Sequence, residues 1–326
     1  MSKKEYNKIL IIRTGAIGDV VHTMNLVHAI TKENKNAQIH YLTSEVIMPL
    51  IADDPSIRKV ITINPKFKMF SEETKKLASE LKSEKYDLVI NLQPSIKVKY
   101  LIFLAGIKKQ LTYRKQFKMH AVKNFWATGL KAFPNLKEEE NLKLNLPEYA
   151  INFGKEKVKD LKRPLIIFNA GGIMSKRQGR TYPLTQWIEL GKKIQEKYNG
   201  TIILNGSRDD SFTLKPLEEI PNSVSYVGEL SLAHSCGVIS QADLMISGDS
   251  GPLHIATALG VKSIGLYGSM PEKRTGCYSS GINIVSKKEC VPCNRRKCKY
   301  LKKTGKLYAP CMKEISVDEI MEKIEL

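Results

Sequence analysis

The sequence contains no apolar run long enough to cross a bilayer. A span needs about 18 residues, and the longest early run is Ile9-Leu10-Ile11-Ile12. That run is also too short for the apolar part of a secretory leader. A cytoplasmic protein without a membrane span is expected. Acidic residues are scarce, with 33 Asp and Glu against 52 Lys and Arg, for a net charge of +19. The deficit predicts attraction to anionic partners and says nothing of fold. Cysteine is sparse outside residues 290–311, where only Cys236 and Cys277 occur. A secreted disulfide scaffold would spread its cysteines through a much shorter chain. Two phosphate-binding signatures are missing from the first glycine turn. It offers Gly15-x-x-Gly18 rather than G-x-G-x-x-G, which argues against a nicotinamide enzyme, and no Lys-Ser/Thr pair follows, which excludes a P-loop.

What is present is an ordinary globular composition. The chain has 326 residues, 42% apolar and 26% charged. That length suggests two domains, and the composition excludes a disordered tail, a collagen and a coiled coil. Strand patterns at 8–13, 38–43, 59–63, 86–92 and 110–113 alternate with helix patterns at 19–31 and 71–83. Residues 134–162 break the series with Pro134, Pro147 and dense charge, and read as a connection. A second series follows, with strands at 165–169, 201–205, 244–247 and 263–267 and helices at 185–198, 232–242 and 252–259. The pattern predicts α/β architecture with parallel sheets. The expected domains are 1–150 and 151–315, with a closing helix in 316–326.

Three segments carry candidate chemistry. Arg13-Thr14-Gly15-Ala16-Ile17-Gly18-Asp19 joins the first strand to the first helix. Its glycines let the backbone approach a ligand, and its helix start presents free N–H groups. Asp19 is a helix cap or a base, and the segment alone does not choose. Ser247-Gly248-Asp249-Ser250-Gly251-Pro252-Leu253-His254 also follows a strand and opens a helix, and so suits a diphosphate. His254 can reach the same anion, or serve only the core. Asn169-Ala170-Gly171-Gly172 follows a third strand and leads to Ser175, Lys176, Arg177 and Arg180. Arginine can grip phosphate with two hydrogen bonds, although a solvated basic loop reads the same way.

These segments together resemble the glycosyltransferase family that contains the ADP-heptose:lipopolysaccharide heptosyltransferases. Ile9 to Thr23 is similar to its opening motif, Lys176 to Trp187 to its basic-x-aromatic-Pro…Trp segment, and Asp249-Ser250-Gly251-Pro252-x-His254 to its D-[ST]-G-x-x-H motif. The resemblance implies a GT-B type enzyme, two doubly wound Rossmann-like domains facing across a cleft. The first would hold the acceptor and the second the nucleotide sugar. By motif match Asp19 takes the general-base position. Arg180 takes that of a phosphate-binding lysine, and Tyr182 stands where the family usually has Trp. Asp249, Ser250, Gly251 and His254 match the diphosphate loop, while Ser175 and Lys176 line the same site. Leu230 matches a residue packing on the base, and Asp209 or Asp210 an acid on the ribose. Gly15 and Gly18 are assigned to the nucleotide-sugar site with them. The implied function is inverting transfer of a heptose or related sugar from ADP-heptose or another nucleotide sugar to an anionic lipopolysaccharide-core acceptor. Cations and helix N–H groups can neutralise the leaving diphosphate, so no metal is needed for transfer.

Two features lie outside those motifs. Between Ser95 and Lys137 there are ten Lys or Arg and no acid, with aromatic residues interleaved. Lys97, Lys99, Arg114 and Lys115 are candidate acceptor contacts, for a lipid-linked acceptor and peripheral contact with an inner-membrane surface. Nucleic acid would suit the run too, though none is expected as partner. Cys290-x2-Cys293-x4-Cys298-x12-Cys311 can hold a structural zinc or iron on four thiolates. The alternatives are a family member that glycosylates a protein, and a zinc-containing nucleic-acid-binding protein.

Overall fold

The computed structural model describes residues 6–171, 180–295, 297–304 and 308–326. The chain divides into two units, Met1–Pro147 and Glu148–Leu326. In each, short apolar runs pair as parallel strands, and the central strands are covered on both faces.

The first unit contains β1 (Lys8–Ile12), α1 (Ile17–Glu33), β2 (Gln38–Thr43), β3 (Lys59–Thr62), α2 (Glu72–Ser83), β4 (Leu88–Asn91), α3 (Ile96–Leu104), β5 (Gln110–Thr112) and α4 (Ala121–Gly129). Its sheet runs β3-β2-β1-β4-β5, every pair parallel. β1 sits centrally because Ile9 to Ile12 are fully buried. Strand order reverses between β1 and β4, where an open α/β sheet leaves a crevice at its carboxyl edge. The Ser71 hydroxyl caps α2 by accepting from the Thr74 N–H at 3.3 Å. Thr74, Leu77 and Leu81 form the buried stripe that their spacing predicts. The acid-free stretch, read only as a charge run, holds two helices.

The second unit contains α5 (Glu148–Val158), β6 (Leu165–Asn169), α6 (Leu184–Tyr198), β7 (Thr201–Asn205), the short α7 (Ser211–Leu214), β8 (Ser223–Ser225), α8 (Leu232–Ile239), β9 (Leu244–Gly248), α9 (Gly251–Ala258), β10 (Ser263–Tyr267), α10 (Glu272–Thr275), β11 (Gly281–Val285), α11 (Lys299–Thr304), α12 (Pro310–Glu314) and α13 (Val317–Met321). Its sheet order is β11-β10-β9-β6-β7-β8, again parallel, with the reversal between β9 and β6.

One expectation changes here. The expected connection over 134–162 contains α5, so residue 150 lies inside a helix and the division falls just before it. Its buried stripe is Ala150, Gly154 and Val158, too small to show as apolar periodicity. Those small residues let α5 lie directly on α8. A Cβ on Gly154 would stand 2.0 Å from the Gly237 carbonyl oxygen. The closing stretch from 316 carries the helix α13, which belongs to the second unit. Val317, Ile320 and Ile324 belong to the unit's apolar core with Trp187, Leu190 and Ile194 of α6. Among the described residues, no helix is long and apolar enough to cross a membrane.

Candidate functional site

The reversal point of each sheet carries a polar cluster. In the first unit β1 delivers Arg13 and Thr14 to the carboxyl edge, and α1 starts after Ala16. Ala16 is the N-cap and lends no side chain, so Asp19 is not the helix cap. Asp19 stands in the first turn and pairs instead with the Arg13 guanidinium through Nη2 and Oδ2. Arg13 Nη1 donates to the Leu92 carbonyl at 2.6 Å, bridging the β1–β4 reversal. Its guanidinium also lies over the Phe125 ring at 5.5 Å. Arg13 is thus fixed on three sides and holds one carboxylate oxygen in place. The Asp19 side chain keeps 24% of its surface exposed, enough for a solute to reach it. Nothing lies within 4 Å of where a Gly15 Cβ would stand, so the turn is open there.

His22, one turn beyond Asp19, meets His120 edge to face at 5.4 Å. His120 also accepts from the Val122 N–H at the start of α4. Sequence reasoning placed Arg13 in a candidate segment without a role and missed His22 and His120. The available signals were the helical spacing of Asp19 and His22 and the place of Arg13 directly after a buried strand.

In the second unit Asp249 follows β9 and is 6% exposed. Arg180 Nη2 reaches its Oδ2 at 2.9 Å, and His254 Nε2 approaches its Oδ1 at 3.5 Å. Burial by itself would raise the Asp249 pKa. The His254 hydrogen bond, the Arg180 and His254 charges and Thr275 outweigh it and hold the carboxyl below its ordinary value. Gly248 makes this possible, because a Cβ there would stand 2.4 Å from the Arg180 carbonyl oxygen.

Ser250 is the N-cap of α9, but its side chain makes no capping bond. Its hydroxyl instead meets Ser247 Oγ at 2.9 Å and accepts from Asn169 Nδ2 at 3.0 Å. Asn169 also donates to Ser247 Oγ at 2.9 Å and accepts from Asn205 Nδ2 at 3.0 Å. Ser235 Oγ closes the row on Asn205 Oδ1 at 2.9 Å. One polar chain therefore crosses the ends of β9, β6 and β7 and ties the α9 entry to the β6 end. The α9 N-terminus beside it is a site for negative charge. Asn169 opens a candidate segment in the sequence, whereas Asn205 and Ser235 were not singled out as ligand-site residues.

The other expected residues scatter. Asp210, not Asp209, turns inward. Asp209 is exposed, while Asp210 is buried and its carboxylate would meet a Gly171 Cβ at 2.7 Å. Leu230 is half-buried in the loop between β8 and α8. Gly18 is buried in α1, and Gly251 is the first residue of α9. Ser175 and Lys176 lie outside the described residues. Tyr182 is core rather than site, since its hydroxyl donates to the Ile315 carbonyl at 3.0 Å and its ring meets Trp187.

Of the four acceptor candidates, Lys97 is tied down. Its ammonium donates to the Phe67 carbonyl at 2.8 Å and lies 5.6 Å from the Phe67 ring centroid. Lys99, Arg114 and Lys115 are exposed. The loop holding the last two is pinned by Asn124, which donates to the Arg114 carbonyl at 3.2 Å and accepts from the Gln116 N–H at 2.9 Å.

Cys290, Cys293, Cys298 and Cys311 are free thiols. Burial, and then the nearby Cys290, Cys298 and Cys293, push the Cys311 thiol up to about 11. Among the described residues no three His, Cys, Asp or Glu side chains are already set as a metal-ligand group. Leu301, Cys311 and Met312 enter the apolar core of the unit and anchor this segment.

Comparison with known proteins gives one consistent result. The family model of glycosyltransferase family 9 (heptosyltransferase) matches residues 74–304. Lipopolysaccharide heptosyltransferase 1 of Pseudomonas aeruginosa is 23% identical over 316 residues, covering 90% of this chain and 88% of the relative. A family 9 glycosyl transferase from Veillonella parvula superposes with a TM-score of 0.82 at 19% identity, covering 97% and 95% of the two chains. The E. coli ADP-heptose lps heptosyltransferase II superposes with a TM-score of 0.76 at 19% identity, covering 97% and 96%.

Proposed function

The chain belongs to glycosyltransferase family 9, the heptosyltransferase family, and from that footing we propose that it is an inverting transferase using ADP-heptose as donor and a lipid-linked, anionic lipopolysaccharide-core precursor as acceptor. It is a glycosyltransferase with two Rossmann-like domains of the GT-B type. The choice of donor and acceptor is supported by the names of its relatives, which include a lipopolysaccharide heptosyltransferase and an ADP-heptose heptosyltransferase.

The observation that carries the proposal is the pair between buried Asp249 and half-buried Arg180 at the N-terminus of α9. In the proposed step the acceptor hydroxyl oxygen attacks the anomeric carbon of the heptose. The bond from that carbon to the β-phosphate oxygen breaks, and ADP leaves. Asp19, oriented by Arg13, receives the hydroxyl proton, and such a base is worth roughly 10²–10⁴ in rate. Arg180 and the first N–H groups of α9 neutralise charge on the leaving diphosphate, so the step is not routed through a metal. Asp249 does not face the diphosphate as an anion. It orients Arg180 and His254 from behind.

A thermal-shift panel tests this. ADP and ADP-heptose should raise the melting temperature, with UDP and GDP much weaker. Ligand at 100 times its dissociation constant stabilises by about 2.7 kcal/mol. Equal or absent responses to all three nucleotides would overturn the donor assignment.

We also propose that Cys290, Cys293, Cys298 and Cys311 hold one structural zinc or iron ion as four thiolates. The support is their spacing, with two, four and twelve residues between successive cysteines. The ion would cross-link the segment between β11 and α12 and offset part of its positive charge.

A further inference from the structure

α3 is apolar on both of its faces, which is unusual for a helix at a surface. One face is committed. Val98, Leu101 and Ile102 pack into the core of the first unit with Leu77, Leu81 and Val89. The other carries Ile96, Lys99, Tyr100 and Phe103, spaced as neighbours along one side of a helix. Ile96 is 73% exposed and Phe103 77%. Phe70, from the loop before α2, is also 73% exposed and meets Tyr100 edge to face at 5.2 Å. The loop after β5 presents Phe117, 58% exposed, with Lys115 Nζ 4.8 Å from its ring centroid. These apolar tips are not needed for the fold, and each costs solubility. Around the tips on α3 and at Phe117 the chain is cationic, with no acid from Ser95 to Lys137, whereas Glu72 and Glu73 follow Phe70. The nearest carboxylate in sequence to Phe70, Glu72, is paired with Lys75 at 2.7 Å.

We propose that the outward face of α3, with Phe70, seats shallowly in the headgroup region of an anionic phospholipid bilayer. Charge complementarity commits the surface to this occupant, because lysines beside aromatic and aliphatic tips match anionic headgroups over an apolar layer. A protein partner suits it less well. A few separated side chains do not supply the roughly 800 Å² per partner of a stable interface. A bilayer needs only a few inserted side chains and several cations. The proposal goes beyond the transferase reading and does not depend on the sugar or the nucleotide.

Vesicle co-sedimentation of the full-length protein tests it. One vesicle set is phosphatidylcholine with phosphatidylglycerol, and the other is phosphatidylcholine alone. Binding should require phosphatidylglycerol and weaken as salt is raised, because surface charges are screened within about 10 Å at 0.1 M salt. The double variant Ile96→Ser with Phe103→Ser should lower the partition coefficient by about tenfold or more. Its melting temperature and its response to ADP should match those of the unaltered chain. Phe70→Ser provides a second variant outside the helix, and should lower partition in the same direction. The proposal is overturned if the unaltered protein binds both vesicle types equally or neither. It is also overturned if the variants bind as the unaltered chain does, or if they abolish self-association instead. Vesicle binding without any nucleotide response would sink the donor reading and leave this surface standing.

Discussion

Asp19 and Arg180 are the residues whose replacement is most informative. Asp19→Asn keeps the size and the contact to Arg13 but removes the base. Turnover should fall by roughly 10²–10⁴ while ADP affinity stays unchanged by calorimetry. Near-normal kcat would remove Asp19 from the chemistry. Arg180→Ala should weaken ADP by about tenfold to a hundredfold and adenosine much less, since a charged hydrogen bond is worth roughly 1.5–3 kcal/mol. Equal loss for both ligands would place Arg180 away from the phosphates. Asn169 is a positioning residue. Asn169→Ala leaves Ser247 and Ser250 without their shared donor and Asn205 without its acceptor. The variant should lose about 1–3 kcal/mol of stability and weaken ADP binding, both readable by urea titration with and without ADP.

At the scale of elements, the α5–α8 crossing depends on two glycines. A Cβ on Gly237 would stand 1.9 Å from the Ala150 carbonyl oxygen, and one on Gly154 would meet Gly237 as closely. These contacts are backbone, which cannot rotate away. Gly237→Ala should therefore separate the helices at a cost of roughly 1–3 kcal/mol, seen as a lower urea midpoint. An unchanged midpoint would show that the helices can part freely. α9 works in the opposite sense. Its first turn is left without a side-chain cap because Ser250 is drawn into the Asn169–Ser247 row. The missing cap is what leaves N–H groups for an anion.

For the whole molecule, carboxyls held below their ordinary values make stability acid-sensitive, Asp249, Asp54 and Glu84 among them. Asp249 and Asp54 are held below their ordinary values, and Glu84 falls from 4.5 to about 2. For Asp54, burial opposes the shift, and His28, Ser56 and Asn145 reverse it. For Glu84 the hydrogen bonds from Lys59 and Lys8 dominate. Each folded value lies below the unfolded one. Each group therefore contributes stability that is complete above the unfolded value and is lost as pH falls through the folded one. The urea midpoint should hold from neutrality to about pH 5 and then decline toward about pH 2, as expected for such carboxyls. Glu84→Gln should flatten that decline, and an identical decline would show that Glu84 takes no part. The cysteine segment gives a separate test. Elemental analysis should find about one zinc or iron per chain, lost in Cys293→Ser together with thermal stability. Metal-free protein with four freely titrating thiols and unchanged melting would end that proposal.

The sequence by itself determined nine of the eleven described strands, β8 and β11 being the exceptions, together with the two glycine turns and the family. Buried parallel strands such as Ile9 to Ile12 and Leu165 to Asn169 must be continuous apolar runs, so they stand out from any local window. Asp19 and the Asp249–His254 segment were visible for a related reason. They follow such runs directly and are read within a few residues. α3 and α5 were not legible as helices. α3 is apolar on two faces and carries Lys97 and Lys99, while the buried stripe of α5 is only Ala150, Gly154 and Val158, so neither shows a single clear apolar stripe. Partners also escaped the sequence. Arg13 meets Leu92, and Asn169 meets Asn205 and Ser247, only because strand order reverses beside β1 and β6. Likewise Asp210 faces Gly171 rather than solvent because the β7 end stands beside the β6 end. A sequence fixes which residues a strand carries to its carboxyl end. Which other strand ends arrive beside them is decided by pairing between distant segments, and that pairing exists only once the sheet has formed.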